Sequence, residues 1–172
     1  MLTSIMVVIW VAARWPDVRP GLARLQASWC VMAALLAVPT FLLASVVLLV
    51  LVRVLEVPYI DFSAPIMAAG QGFAVVVLLI CLQPAVIEEL AFRGLILSAL
   101  RDLLSDRDAI MVSAVMFMII HCSVLSLPHL LTLGLVLAWL RVRTGSLWPG
   151  IVLHFGHNFL VVLGEQFGVF AP

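Results

Sequence analysis

Residues 84–94 read Pro-Ala-Val-Ile-Glu-Glu-Leu-Ala-Phe-Arg-Gly, so two adjacent carboxylates and a guanidinium interrupt a run otherwise built of apolar side chains. An ionisable group inside a membrane segment costs roughly 2.5–3.5 kcal/mol on insertion scales, and such groups mark functional sites by default. His121, and His154 with Asn158, raise the same question in two further apolar stretches. Glu89 and Arg93 are four apart with the acid first, the favourable order for an ion pair on one helix. In a low dielectric that pairing neutralises both charges. Glu88 points about 100° away and has no partner in its own helix, which suits a general base acting on water. Alternatively, Arg93 clamps both glutamates structurally. His154 and Asn158, also four apart, share a helix face and could donate hydrogen bonds to a developing oxyanion. They could equally form a polar contact between helices. His157 lies on another face and His129 follows Pro128 near a helix end; both read as structural or interfacial. Phe117, four before His121, could wall that histidine's pocket or simply pack.

These residues need helices to carry them, and the composition says which kind. Of 172 residues 65% are hydrophobic and 10% charged, with a mean hydropathy of +1.27. Soluble domains run near 45–50% apolar and about 25% charged. The chain therefore reads as all-α, a polytopic transmembrane helix bundle. A formal net charge of zero argues against nucleic acid as a partner and leaves membrane lipid as the surrounding medium. Cys30, Cys81 and Cys122 are scattered through apolar segments, as reduced thiols and not a disulfide framework. Residues 1–13 lack a basic region and a cleavage site, so no cleavable signal peptide is expected.

About six membrane segments are expected. Residues 28–52 make the clearest span; 1–13 is too short for one and reads as a partial helix or the remnant of a longer N-terminus. After a loop at 53–66, a run from 67 to 100 carries the paired glutamates, with a kink expected at Pro84. Further helices are expected over 109–127, 128–142 and 149–164, with Pro128 and Pro149 in first turns and a turn at Gly145-Ser146. The connections 14–27, 101–108 and 141–146 hold three, two and two arginines, whereas 53–66 holds one and 122–128 none. That alternation puts the first three in the cytoplasm. Counted from these ends, Glu88 and His121 lie roughly 20 Å deep and His154 roughly 12 Å, so three helices can bring them together in the bundle interior.

Glu88-Glu89-x-x-x-Arg93, Phe117-x-x-x-His121 and His154-x-x-x-Asn158, with Gly145-Ser146-Leu147-Trp148 before the last, resemble the ordered motifs of the CPBP family of intramembrane proteases. This family includes the CAAX prenyl endopeptidases and proteins of bacteriocin processing and self-immunity. The resemblance covers about residues 67–164. It divides the chain into N-terminal membrane segments over 1–66, where many members carry additional helices, and a catalytic bundle over 67–172. It implies an intramembrane endopeptidase of a bacterial or archaeal cell membrane, with its active site within the bilayer, acting on a membrane-associated protein or peptide. Glu88 would be the catalytic glutamate, His121 its water-activating partner, and His154 and Asn158 the oxyanion donors, supported by Glu89 and Arg93. No cofactor is required by a glutamate–histidine pair; alternatively Glu88, His121 and His154 would bind Zn²⁺ with one position open to water. The rival is a non-enzymatic membrane protein, an immunity factor or an ion- or proton-coupled transporter, whose polar cluster binds an ion.

Overall fold

The computed structural model describes residues 2–122 and 127–170. The chain is all-helical over these residues, with α1 Leu2–Ala13, α2 Trp15–Ala23, α3 Ala27–Arg53, α4 Ala64–Ala68, α5 Phe73–Arg101, α6 Asp106–Ile120, α7 Leu127–Thr144 and α8 Trp148–Gln166. Two helices are long and apolar enough to cross a membrane: α3, with 27 residues and a hydropathy of 2.8, and α5, with 29 residues and 2.1. α3 turns Val31, Leu35, Leu42 and Val46 outward, an apolar face larger than water-soluble surfaces usually tolerate.

The helix boundaries follow local chemistry. Ser105 caps α6, its Oγ accepting from the Asp108 N–H at 3.3 Å. Pro149 sits in the first turn of α8, where its missing N–H leaves no bond unmade. Gly145, at φ +65°, makes the turn between α7 and α8. Two expectations need correction. The connection 14–27 is not a plain loop but contains α2, started by Pro16 and held down by the fully buried Val18, which packs with Leu95, Leu147 and Ile151. The run expected from residue 67 begins at Phe73, because α4 ends and Gly70 turns the chain at φ +77°. Most of the expected 122–128 turn lies outside the described residues.

α5 stays helical through Pro84, flanked by wider turns over Val77–Leu82 and Leu90–Ile96, so the expected sharp kink becomes a spread adjustment of helical pitch. Pro84 has no N–H to reach the carbonyl of Ile80. Asn158 Nδ2 donates to that oxygen at 3.1 Å, tying α8 to α5.

Close approach of helices rests on small residues, as in membrane bundles generally. A Cβ on Gly156 would lie 3.0 Å from Ala37 Cβ between α8 and α3, and one on Gly134 would lie 3.2 Å from the Ala114 backbone between α7 and α6. Two of the arginine-rich connections, 14–27 and 141–146, meet at one end. Gln26 Nε2 donates to the Thr144 carbonyl at 2.8 Å, the Leu147 N–H to Gly21 O at 2.9 Å, and Trp148 Nε1 to Leu22 O at 2.8 Å. At the opposite end, Tyr59 and Ser63 of the 54–63 loop meet Glu165 and Gln166.

Candidate active site

Glu88 and Glu89 leave the same turn of α5 in different directions and meet different chemistry. Glu89 is fully buried and accepts from Arg93 Nη1 at 2.9 Å; Arg93, equally buried, spends Nη2 on the Gly134 carbonyl at 3.0 Å. The guanidinium carbon sits 4.5 Å from the centroid of the Phe117 ring, a cation–π contact that adds to the compensation of its burial. Arg93 makes no ion pair with Glu88, so it is not a clamp on both acids.

Glu88 is the partly accessible acid, with 26% of its side chain exposed. Its Oε2 has no hydrogen-bond partner and lies 3.8 Å from His121 Nε2 and 3.9 Å from His154 Nε2. The helices α5, α6 and α8 therefore bring Glu88, His121 and His154 to one point. Phe117 walls it, with ring centroids 4.7 Å from His121 and 5.8 Å from His154.

Both imidazoles are oriented by what their other nitrogen meets. α6 stops at Ile120, leaving its last carbonyls without N–H partners within the helix. The His121 ring reaches one of them, Nδ1 standing 2.7 Å from Phe117 O. His154 Nδ1 stands 3.3 Å from Glu89 Oε1. A carbonyl and an ion-paired carboxylate only accept, so in each ring Nδ1 carries a proton and the neutral ring presents a lone pair on Nε2 toward Glu88.

Three lone pairs converging on one space are a zinc donor set, so the fit can be tested. Bonds of about 2.0 Å in a tetrahedral site give ligand–ligand edges of about 3.3 Å, shorter than both Glu88–histidine separations. Among the described residues no group of three His, Cys, Asp or Glu side chains has metal-holding geometry. As placed, these residues do not close on a metal.

The cluster lies in a cavity of about 420 Å³, which Asn158 also lines. Asn158 is thus brought to the site, but its amide nitrogen is engaged with Ile80 O. His157 is buried against Thr40 Oγ1 at 3.2 Å, joining α8 to α3, a structural place. His129 lines the cavity, its buried Nδ1 without a partner, so it is not at the outer surface alone.

Three contributors are invisible to motif reading. Gly150 lets α8 pass Glu89, since a Cβ there would lie 2.6 Å from Glu89 Oε2. Gly134 supplies the carbonyl for Arg93. Glu165, on the face of α8 that bears His154, lines the far end of the same cavity. Helical spacing from His154 was the one signal that could have found Glu165.

The family model of the Rce1-like type II CAAX prenyl endopeptidases matches residues 70–160, more than half of the 172 residues. No curated protein and no solved structure matches the chain.

Proposed function

Because the chain belongs to the Rce1-like family of type II CAAX prenyl endopeptidases, a membrane-embedded protease family, we propose that it hydrolyses a peptide bond of a membrane-associated protein or peptide, inside the bilayer, with Glu88 as general base. The observation that carries this reading is the Glu88 Oε2 with no hydrogen-bond partner, facing the Nε2 of His121 and of His154 at 3.8 and 3.9 Å. Those gaps exceed a direct hydrogen bond, and the Glu88 side chain, 26% exposed, borders the cavity from which a water can reach the cluster. Glu88, with His121 orienting that water, takes its proton as the oxygen attacks the scissile carbonyl. The resulting oxyanion needs donors. Asn158 has a second amide hydrogen to give, and the His154 ring stands beside the same space. Proton return from Glu88 to the leaving amine completes the cycle.

The chain crosses the membrane as six segments, with 14–27, 101–108 and 141–146 on the cytoplasmic side; the meeting of the first and last of these connections at one end supports that topology. The mechanism uses no metal. The test compares membranes containing the wild type with membranes containing Glu88→Gln, by mass spectrometry of protein termini. New termini should appear with the wild type and disappear with the variant, by about a hundredfold or more. Identical termini in both would refute the assignment, and activity that is lost on chelation and restored by Zn²⁺ would refute the metal-free route.

A further inference from the structure

His154, Asn158, Val161 and Glu165 recur along one face of α8 and all line the same cavity. The cavity therefore runs from the Glu88–histidine cluster to Glu165, about 16 Å away along a continuous helix. Glu165 is 9% exposed. Its Oε1 accepts from the Tyr59 hydroxyl at 2.8 Å and from the Phe62 N–H at 3.3 Å. Burial first, and then the hydrogen bond to Glu165, hold the Tyr59 phenol above its ordinary range, so Tyr59 remains a donor throughout working pH. Oε2 is buried with no partner. No Lys, Arg or His among the described residues lies within ion-pair distance of Glu165, in contrast to Glu89, whose burial Arg93 and His154 offset. Glu165 also borders a second cavity, of about 460 Å³, which shares Pro58 and Tyr59 in its lining. A buried carboxylate oxygen without a cation is costly, and because Glu165 lines the cavity that holds the Glu88 cluster, a substrate in that cavity can supply the cation.

We propose that Glu165 is a specificity subsite that binds a cationic group of the substrate, an amine or guanidinium, with Tyr59 and Phe62 holding the carboxylate in place. This rests on the reading of the Glu88 cluster as the site of cleavage. An extended chain advances about 3.3 Å per residue, so the cation lies about five residues from the scissile bond. The subsite sets which register of a peptide binds, and takes no part in bond breaking.

The test separates binding from cleavage. Fluorescently labelled short peptides carrying a single lysine, or norleucine in its place, at successive positions are titrated by anisotropy against full-length Glu88→Gln protein in detergent micelles. One lysine register should bind about tenfold more tightly than its norleucine counterpart, and Glu165→Gln in the same background should erase that difference. Glutamine keeps an acceptor for Tyr59 and Phe62, so the variant retains the local structure. Tyr59→Phe, which leaves the carboxylate, should keep a lysine preference. The absence of any lysine-preferring register, or a preference that survives Glu165→Gln, overturns the subsite. Cleavage of the same peptides by the wild type is scored separately. Lysine-selective binding without cleavage keeps the cation site and rejects the protease reading; cleavage with no lysine preference rejects the subsite alone.

Discussion

His154 Nδ1 faces Glu89 Oε1 at 3.3 Å, and this contact joins the supporting ion pair of α5 to the reactive cluster across two helices. Glu89 is the shared element: it neutralises Arg93 on one side and fixes the His154 tautomer on the other. The two adjacent glutamates thus differ in place, one buried in the ion pair and the other partly accessible beside the histidines.

That arrangement makes the Glu89–Arg93 pair a test of its own. Arg93→Met alone leaves a carboxylate buried without its cation, and should cost about 3–5 kcal/mol. The double variant Glu89→Gln/Arg93→Met should recover most of this loss in thermal unfolding in detergent, followed by tryptophan fluorescence, yet remain poorly active because His154 has lost its orienting carboxylate. Additive losses in the double variant would show that the pair is not coupled.

Gly150 should tolerate no side chain. A Cβ at 2.6 Å from Glu89 Oε2 forces either α8 or the carboxylate to move, so Gly150→Ala should lower stability by about 1–3 kcal/mol and reduce activity. Gly72→Ala, which meets open space, is the control and should leave activity unchanged, with only a small loss of stability from its N-cap position.

Asn158 ties α8 to α5, and this structural task can be separated from the proposed oxyanion contact. Asn158→Ala leaves the Ile80 carbonyl without this donor, at about 1–3 kcal/mol, whereas Pro84→Ala supplies a backbone N–H in its place. Unfolding measurements should therefore find Asn158→Ala milder in the Pro84→Ala background. If Asn158 also holds the oxyanion, its removal should lower turnover roughly 10²–10³-fold in both backgrounds; turnover that returns with stability would leave only the structural task.

The 54–63 loop should loosen in acid. Partial burial opposes ionisation of Asp61, but hydrogen bonds from the Ser63 hydroxyl and from the N–H groups of Ala64 and Ser63 outweigh it and hold the carboxyl below its ordinary value. A lowered folded-state value means that the stabilisation is fully present above the ordinary carboxylate range, about pH 4, and is lost as pH falls through the folded-state value. Protection from amide exchange across residues 54–63, measured relative to the intrinsic rate at each pH, should fall on acidification in the wild type and be low and much less pH-dependent in Asp61→Asn.

The helical, lipid-facing character was legible in the residues alone, since composition and hydropathy are properties of the chain. The sequence determined the Glu89–Arg93 pair too, because four residues along one helix fix a neighbour without any tertiary information. It also reached the meeting of Glu88, His121 and His154, because segment lengths and a fixed rise per residue convert position into depth. What it could not reach depends on how helices rotate and approach one another. That Gly150 passes against Glu89, that Gly134 offers Arg93 a carbonyl, and that Asn158 meets the oxygen Pro84 leaves free are contacts between segments far apart in the chain. α2 was hidden for a related reason: the buried Val18 that holds this short helix in place finds its neighbours only after folding. Spacing places side chains on a helix, but only packing decides which neighbour each one meets.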